Sequence, residues 1–156
     1  MAESQNPAVE TTFLDVVEKL TFMFGEPATK AEIPTAEEPW VEARMQFAGG
    51  RSGSLAVIVP RSLQPEIAAN IHSLDADGLD TQAVLDDALR EMLNVVCGHV
   101  LVELCGGDCD FELQAPTNEE LDAERLTALL DDEATSAYLL DDEPVLLHLE
   151  LSRGAS

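Results

Sequence analysis

Basic residues are scarce in this chain: 8 Lys and Arg stand against 31 Asp and Glu in 156 residues, a formal net charge of -23. A surface that negative repels nucleic-acid backbones and anionic membranes, so neither is an expected partner, whereas a basic protein surface would be attracted. The bland reading of the charge is a solubilising shell. Missing as well is any apolar run of the ~18 residues a bilayer-spanning helix needs, and the N-terminal residues begin with acids where a secretory leader would carry bases. The expectation is a soluble, cytoplasmic protein. Cys97, Cys105 and Cys109 are odd in number and lack the second paired cluster of a zinc site, so they read as reduced thiols buried near a turn. There is no glycine loop with a trailing Lys and Ser or Thr to cradle a nucleotide phosphate. His72, His99 and His148 have no Ser or Cys at a recognisable triad spacing. No metal site and no cofactor of its own is expected.

What is present suffices to fold. A hydrophobic content of 46% offsets chain entropy despite the charge, and the length suits one domain, expected over residues 12–151 with a flexible N-terminus at 1–11 and a loose tail at 152–156. Phe13, Leu14, Val16, Val17, Leu20, Met23 and Phe24 fall at helical spacing up to Gly25, a C-terminal stop. Residues 27–39 read as a loop with room for a short strand. Val41, Ala43, Met45 and Phe47 then alternate with polar residues as a half-buried strand, a turn follows over 48–53, and 54–59 returns as a buried strand ended by Pro60. A short helix is expected over 63–73 and a polar break over 75–80. Thr81 opens a long helix running to about Leu104. After a turn at 106–108, Cys109, Phe111, Leu113 and Ala115 alternate as a strand until Pro116 stops it. Residues 117–134 read as a short surface helix and a loop, and 137–140 with 145–151 as a second hairpin.

The long helix carries the candidate site. Asp87, Glu91 and Asn94 lie four and three residues apart, so they form one polar row on a helix whose other face is Ala88, Leu89, Met92, Leu93 and Val96. Gly98 continues the row and leaves open ground beside the amide despite a helix-propensity cost of ~1 kcal/mol. Asp86 and Arg90 read as the solvated edge of the same helix. Shifting the sequence by 73 places lays Glu18, Leu20, Thr21 and Gly25 on Glu91, Leu93, Asn94 and Gly98, with Leu14 where Asp87 stands. The fold class that follows is α+β: two pseudo-repeated units of a helix plus antiparallel strands, sharing one sheet that the helices cover. Only the second unit carries the full row.

Asp87-x3-Glu91-x2-Asn94, with Pro116 found 22 positions beyond the amide, resembles the signature of the CheC, CheX and FliY group of chemotaxis phosphatases. The single intact row is more like CheX than the two-site CheC. The resemblance implies hydrolysis of the phospho-aspartate on a CheY-like response regulator, with Glu91 and Asn94 as the catalytic pair, Glu91 pairing with a lysine of the receiver domain. Asp87 and Gly98 would be partner contacts, and Pro116 would be structural, shaping the strand end. Magnesium is expected on the partner receiver domain, and a homodimer is implied. The physical case for Asn94 is independent of the name: an amide donates and accepts, so it orients a water without adding negative charge beside a phosphoryl group. A noncatalytic module of the same fold that docks to a signalling partner is the alternative.

Overall fold

The computed structural model describes residues 7–33, 39–49, 51–72, 81–105 and 110–151. Helix α1 (Pro7–Thr21) is followed by strand β1 (Gly25–Ala28), a 3-10 turn (Lys30–Glu32), strands β2 (Trp40–Gly49) and β3 (Gly53–Pro60), a second 3-10 turn (Arg61–Leu63) and helix α2 (Gln64–His72). Helix α3 (Gln82–Cys105) opens the second half, with strands β4 (Phe111–Leu113) and β5 (Thr117–Leu121), helix α4 (Ala123–Asp131) and the hairpin β6 (Thr135–Leu140) and β7 (Glu143–Leu151). No helix among the described residues is long and apolar enough to cross a membrane.

Among the described residues seven strands form one sheet in the order β1-β6-β7-β3-β2-β4, with β5 also on β2, and neighbouring strands run antiparallel. This order is a palindrome. The first unit supplies β1, β2 and β3, the second supplies β4 with β5, then β6 and β7; β3 and β7 meet at the centre, and each unit's first strand is carried by the other unit's second. The α+β reading with two helix-led units on a shared sheet therefore holds.

Alternation along the strands divides the core between two faces. On one, Val41, Ala43, Met45, Leu55, Val57, Tyr138, Val145 and Leu147 meet Phe13 and Val17 of α1 and Leu89, Met92, Leu93 and Val96 of α3. The rings of Phe13 and Tyr138 lie 4.9 Å apart at 48°. On the other face, Trp40, Ala56, Ile58 and Leu146 meet Leu126 and Leu129 of α4. On this second face Arg44 holds Glu42 through Nε at 2.8 Å and Nη2 at 3.2 Å, and donates from Nη1 to Ser54 Oγ at 3.0 Å and His148 Nδ1 at 3.2 Å. Because a guanidinium can only donate, His148 Nδ1 accepts, which leaves the ring proton on Nε2, 3.1 Å from Asp132 Oδ2.

Four boundaries differ from the sequence expectation. Helix α1 begins at Pro7, so residues 7–11 are helical where a loose segment was expected; residues 1–6 lie outside the described set. It ends at Thr21, short of Gly25, because Phe22 turns to φ 60 and Gly25 already pairs with Leu140. The alternation over 109–115 yields only the short β4, whose Leu113 is exposed, while Cys109 and the turn at 106–108 lie outside the described residues. Residues 117–121 are a strand, β5, where a helix and loop were expected. Acidic side chains on an edge strand face water and show little hydrophobic period, which explains the miss. The polar break at 75–80 and the tail at 152–156 also lie outside the described residues.

Candidate functional site

Helix α3 starts where Thr81 Oγ1 accepts the Val84 amide at 3.3 Å, capping an otherwise unsatisfied donor. Its inner face is dry: Ala88, Leu89, Met92, Leu93, Val96, Cys97 and Val100 are fully buried. That fixes the rotation of the helix, and Asp87, Glu91, Asn94 and Gly98 consequently face outward, all four exposed. Cys97 is a free thiol pushed up to about 11 by burial, so it is inert at neutral pH. Cys105 closes the helix.

Polar contacts lock the flank of α3. Arg90 Nη1 bonds Asn118 Oδ1 on β5 and its Nη2 lies 3.5 Å from Asp87 Oδ1. Gln82 Nε2 donates to Asp86 Oδ1 at 2.7 Å and Gln64 Oε1 at 3.0 Å, and Arg61 Nη2 donates to Gln82 Oε1 at 2.8 Å. Asp86 and Arg90 are thus half-buried fasteners to α2 and β5 and not the solvated edge expected of them. Their partners Gln64, Gln82 and Asn118 were not singled out in the sequence, since contacts this distant along the chain leave no periodic signal. Pro116 is half-buried in the break between β4 and β5, two strands laid end to end along β2.

The two helices that lead the units use their rows differently. In α1, Glu18 Oε2 accepts the Gly25 amide at 3.0 Å, and the buried Thr21 donates Oγ1 to the Val17 carbonyl at 2.7 Å and accepts from the Met23 amide at 3.3 Å. These side chains close their own helix end. In α3, Glu91 and Asn94 have no hydrogen-bond or ion-pair partner among the described residues. Asp87 is two-thirds exposed, with Arg90 Nη2 3.5 Å from its Oδ1.

Beside Asn94 an open groove of about 600 Å³ runs between α1 and α3, walled by Thr11, Asp15 and Val16 on one side and by Val95, Gly98 and Val102 on the other. A Cβ added to Gly98 would meet nothing within 4 Å. Packing among the described residues therefore does not require the glycine. Gly98→Ala is expected to raise the free energy of unfolding by about 1 kcal/mol in a denaturant titration, because it removes the entropy cost of a mid-helix glycine. An unchanged or lowered stability would contradict that. A larger hollow of about 850 Å³, lined among others by Gln46, Ser54 and Leu113, shares no residue with the row.

Asp132, His148 and Glu150 bring potential ligand atoms within 4.8 Å of one another. Both ring nitrogens of His148 are already committed, to Arg44 and to Asp132, so a cation would have to displace one of them. The Ala134 amide, which bonds Asp132 and outweighs the partial burial, together with His148 and Lys30 holds the Asp132 carboxyl below its ordinary value.

A family model described as "Chemotaxis phosphatase CheX" matches residues 41–134. Among solved structures, a chemotaxis protein CheX from Vibrio vulnificus is 14% identical, covering 97% of this chain and 99% of that one, with a TM-score of 0.67. A CheX from Desulfovibrio desulfuricans is 13% identical over 93% of this chain and 97% of that one, TM-score 0.63. A CheX-CheY-BeF3-Mg complex from Borrelia burgdorferi contains a chain 12% identical over 94% of this chain and 96% of that one, TM-score 0.63. No curated protein matches the sequence.

Proposed function

Because the chain belongs to the CheX family of chemotaxis phosphatases, we propose that it accelerates hydrolysis of the phospho-aspartate on a CheY-like response regulator. The observation that carries this reading is the pair Glu91 and Asn94, exposed and without partners on a helix whose rotation is fixed by its buried face. An aspartyl phosphate is an activated acyl phosphate, so the assisting protein need not supply a nucleophile. A water attacks phosphorus, the bond to the acyl oxygen breaks, and the aspartate leaves as a carboxylate while the water's proton passes to phosphate or solvent. Asn94 holds that water in line through its amide, converting a chance encounter into a positioned one. Glu91, one turn earlier, pairs with a lysine of the receiver and sets the register of docking. Asp87 is a peripheral contact, and magnesium belongs to the receiver.

The test follows the decay of a phosphorylated receiver domain with and without the purified protein. Faster decay in proportion to added protein is the expected result. Receiver binding with unchanged decay would replace this reading by that of a noncatalytic docking module.

A further inference from the structure

We infer that the groove between α1 and α3 seats a long basic side chain, lysine or arginine, of the partner that docks at the Glu91 and Asn94 row. The inference rests on receiver docking at that row and names a second contact there. Apolar surface forms the floor: Val16 from α1 with Val95 and Val102 from α3, and Val102 remains 54% exposed among the described residues. Gly98 widens the floor, and among the described residues nothing lies within 4 Å of where its Cβ would be. The rim is acceptor-rich, with Asp15 on α1 and Glu103 on α3, and no Lys or Arg lines the groove. Lys19 reaches Asp15 Oδ2 at 3.0 Å, but side chains exposed by 75% and 58% make an exchangeable pair. Glu103 has no partner among the described residues.

His99 adds a third acceptor. Its Nδ1 lies 2.9 Å from the Val95 carbonyl, which can only accept, so Nδ1 carries the proton and Nε2 of the neutral ring keeps its lone pair. An apolar channel ending in acceptors fits a side chain with a hydrocarbon stem and a cationic head. An acidic side chain would be repelled, and a wholly apolar one would leave the carboxylates poorly solvated without a partner. Glu91 does not line the groove. Its cation and the groove's cation are therefore separate, and they bracket Asn94 along the helix, which fixes both the position and the angle of the docked partner.

The test uses a receiver domain loaded with beryllofluoride and magnesium for binding, and the phosphorylated receiver for turnover. In the Asp15→Lys, Glu103→Lys double variant, Kd and KM are expected to rise at least ~10-fold with kcat within about twofold, since both reversals remove docking attraction and leave Asn94 in place. A control with the same net charge, Glu66→Lys with Glu124→Lys on exposed positions away from the groove, is expected to change Kd by less than about threefold. Charge reversal of the matching receiver lysine or arginine restores affinity to the groove variant. Unchanged Kd in the groove variant, or an equal loss in the control, overturns the inference and leaves the phosphatase reading intact. Wild-type binding without turnover removes the phosphatase reading while the groove is still decided by Kd, and failure of the wild type to bind any receiver removes both.

Discussion

Asn94→Ala removes the acceleration of receiver dephosphorylation, with kcat expected to fall at least ~10²-fold because misplacing a reacting water by an ångström costs about that much. Binding of the beryllofluoride-loaded receiver should stay within about threefold of wild type, less than 1 kcal/mol. The substitution is clean in this fold. Asn94 is exposed and has no partner among the described residues, and alanine is the better helix former, so the fold loses nothing. A loss of activity then reports on the amide itself. Single-turnover decay of the phosphorylated receiver is the measurement, and full activity in the variant would sink the water-positioning mechanism.

The largest effect on stability is expected from Arg44→Met. The Glu42 side chain is only 4% exposed and that of Arg44 19%, so the pair sits away from water on the face of the sheet that α4 covers. Removing the guanidinium strands a buried carboxylate and also releases Ser54 and the Nδ1 of His148. Breaking a buried pair from one side costs about 3 to 5 kcal/mol, which for a chain of this length lowers Tm by roughly 10 °C. The double variant Glu42→Leu, Arg44→Met removes the stranded charge and should recover most of the loss. Chemical denaturation of the four members of this cycle decides the matter, and a cost under about 1 kcal/mol for Arg44→Met would show that the pair is better hydrated than its burial implies.

Periodicity made much of this molecule legible. The rotation of α3, the β2 and β3 hairpin and the β6 and β7 hairpin follow from side-chain alternation that local burial enforces, and Asn94 stands out because an amide at that spacing on an otherwise apolar helix has few structural uses. Periodicity was silent where partners are distant along the chain. Arg90 and Asn118, or Arg44 and His148, meet only after the sheet has assembled. Strand β5 gives no periodic signal because Leu121 is its one buried apolar residue and its two glutamates face water. The groove, too, depends on how α1 lies against α3, and no residue in either helix announces it alone. The 73-place shift gave a true outline with a false detail: Gly25 and Gly98 match in sequence, yet one is in a strand and the other in mid-helix.

The palindromic strand order has a consequence for how the chain reaches its native state. Among the described residues strand β1 is paired only by β6, and β4 and β5 only by β2, so each half holds the border strand of the other. Neither half is a folding unit. A nascent first half would present an open edge on β2 until β4 and β5 arrived and on β1 and β3 until the last hairpin did, and closing contacts such as Gly25 with Leu140 joins points near opposite ends of the sequence. A chain built this way has a high contact order, folds late relative to its synthesis, and is most exposed to edge-to-edge association while incomplete. In that interval the acidic surface that says little about function has a plain physical use, since mutual repulsion keeps unfinished copies apart.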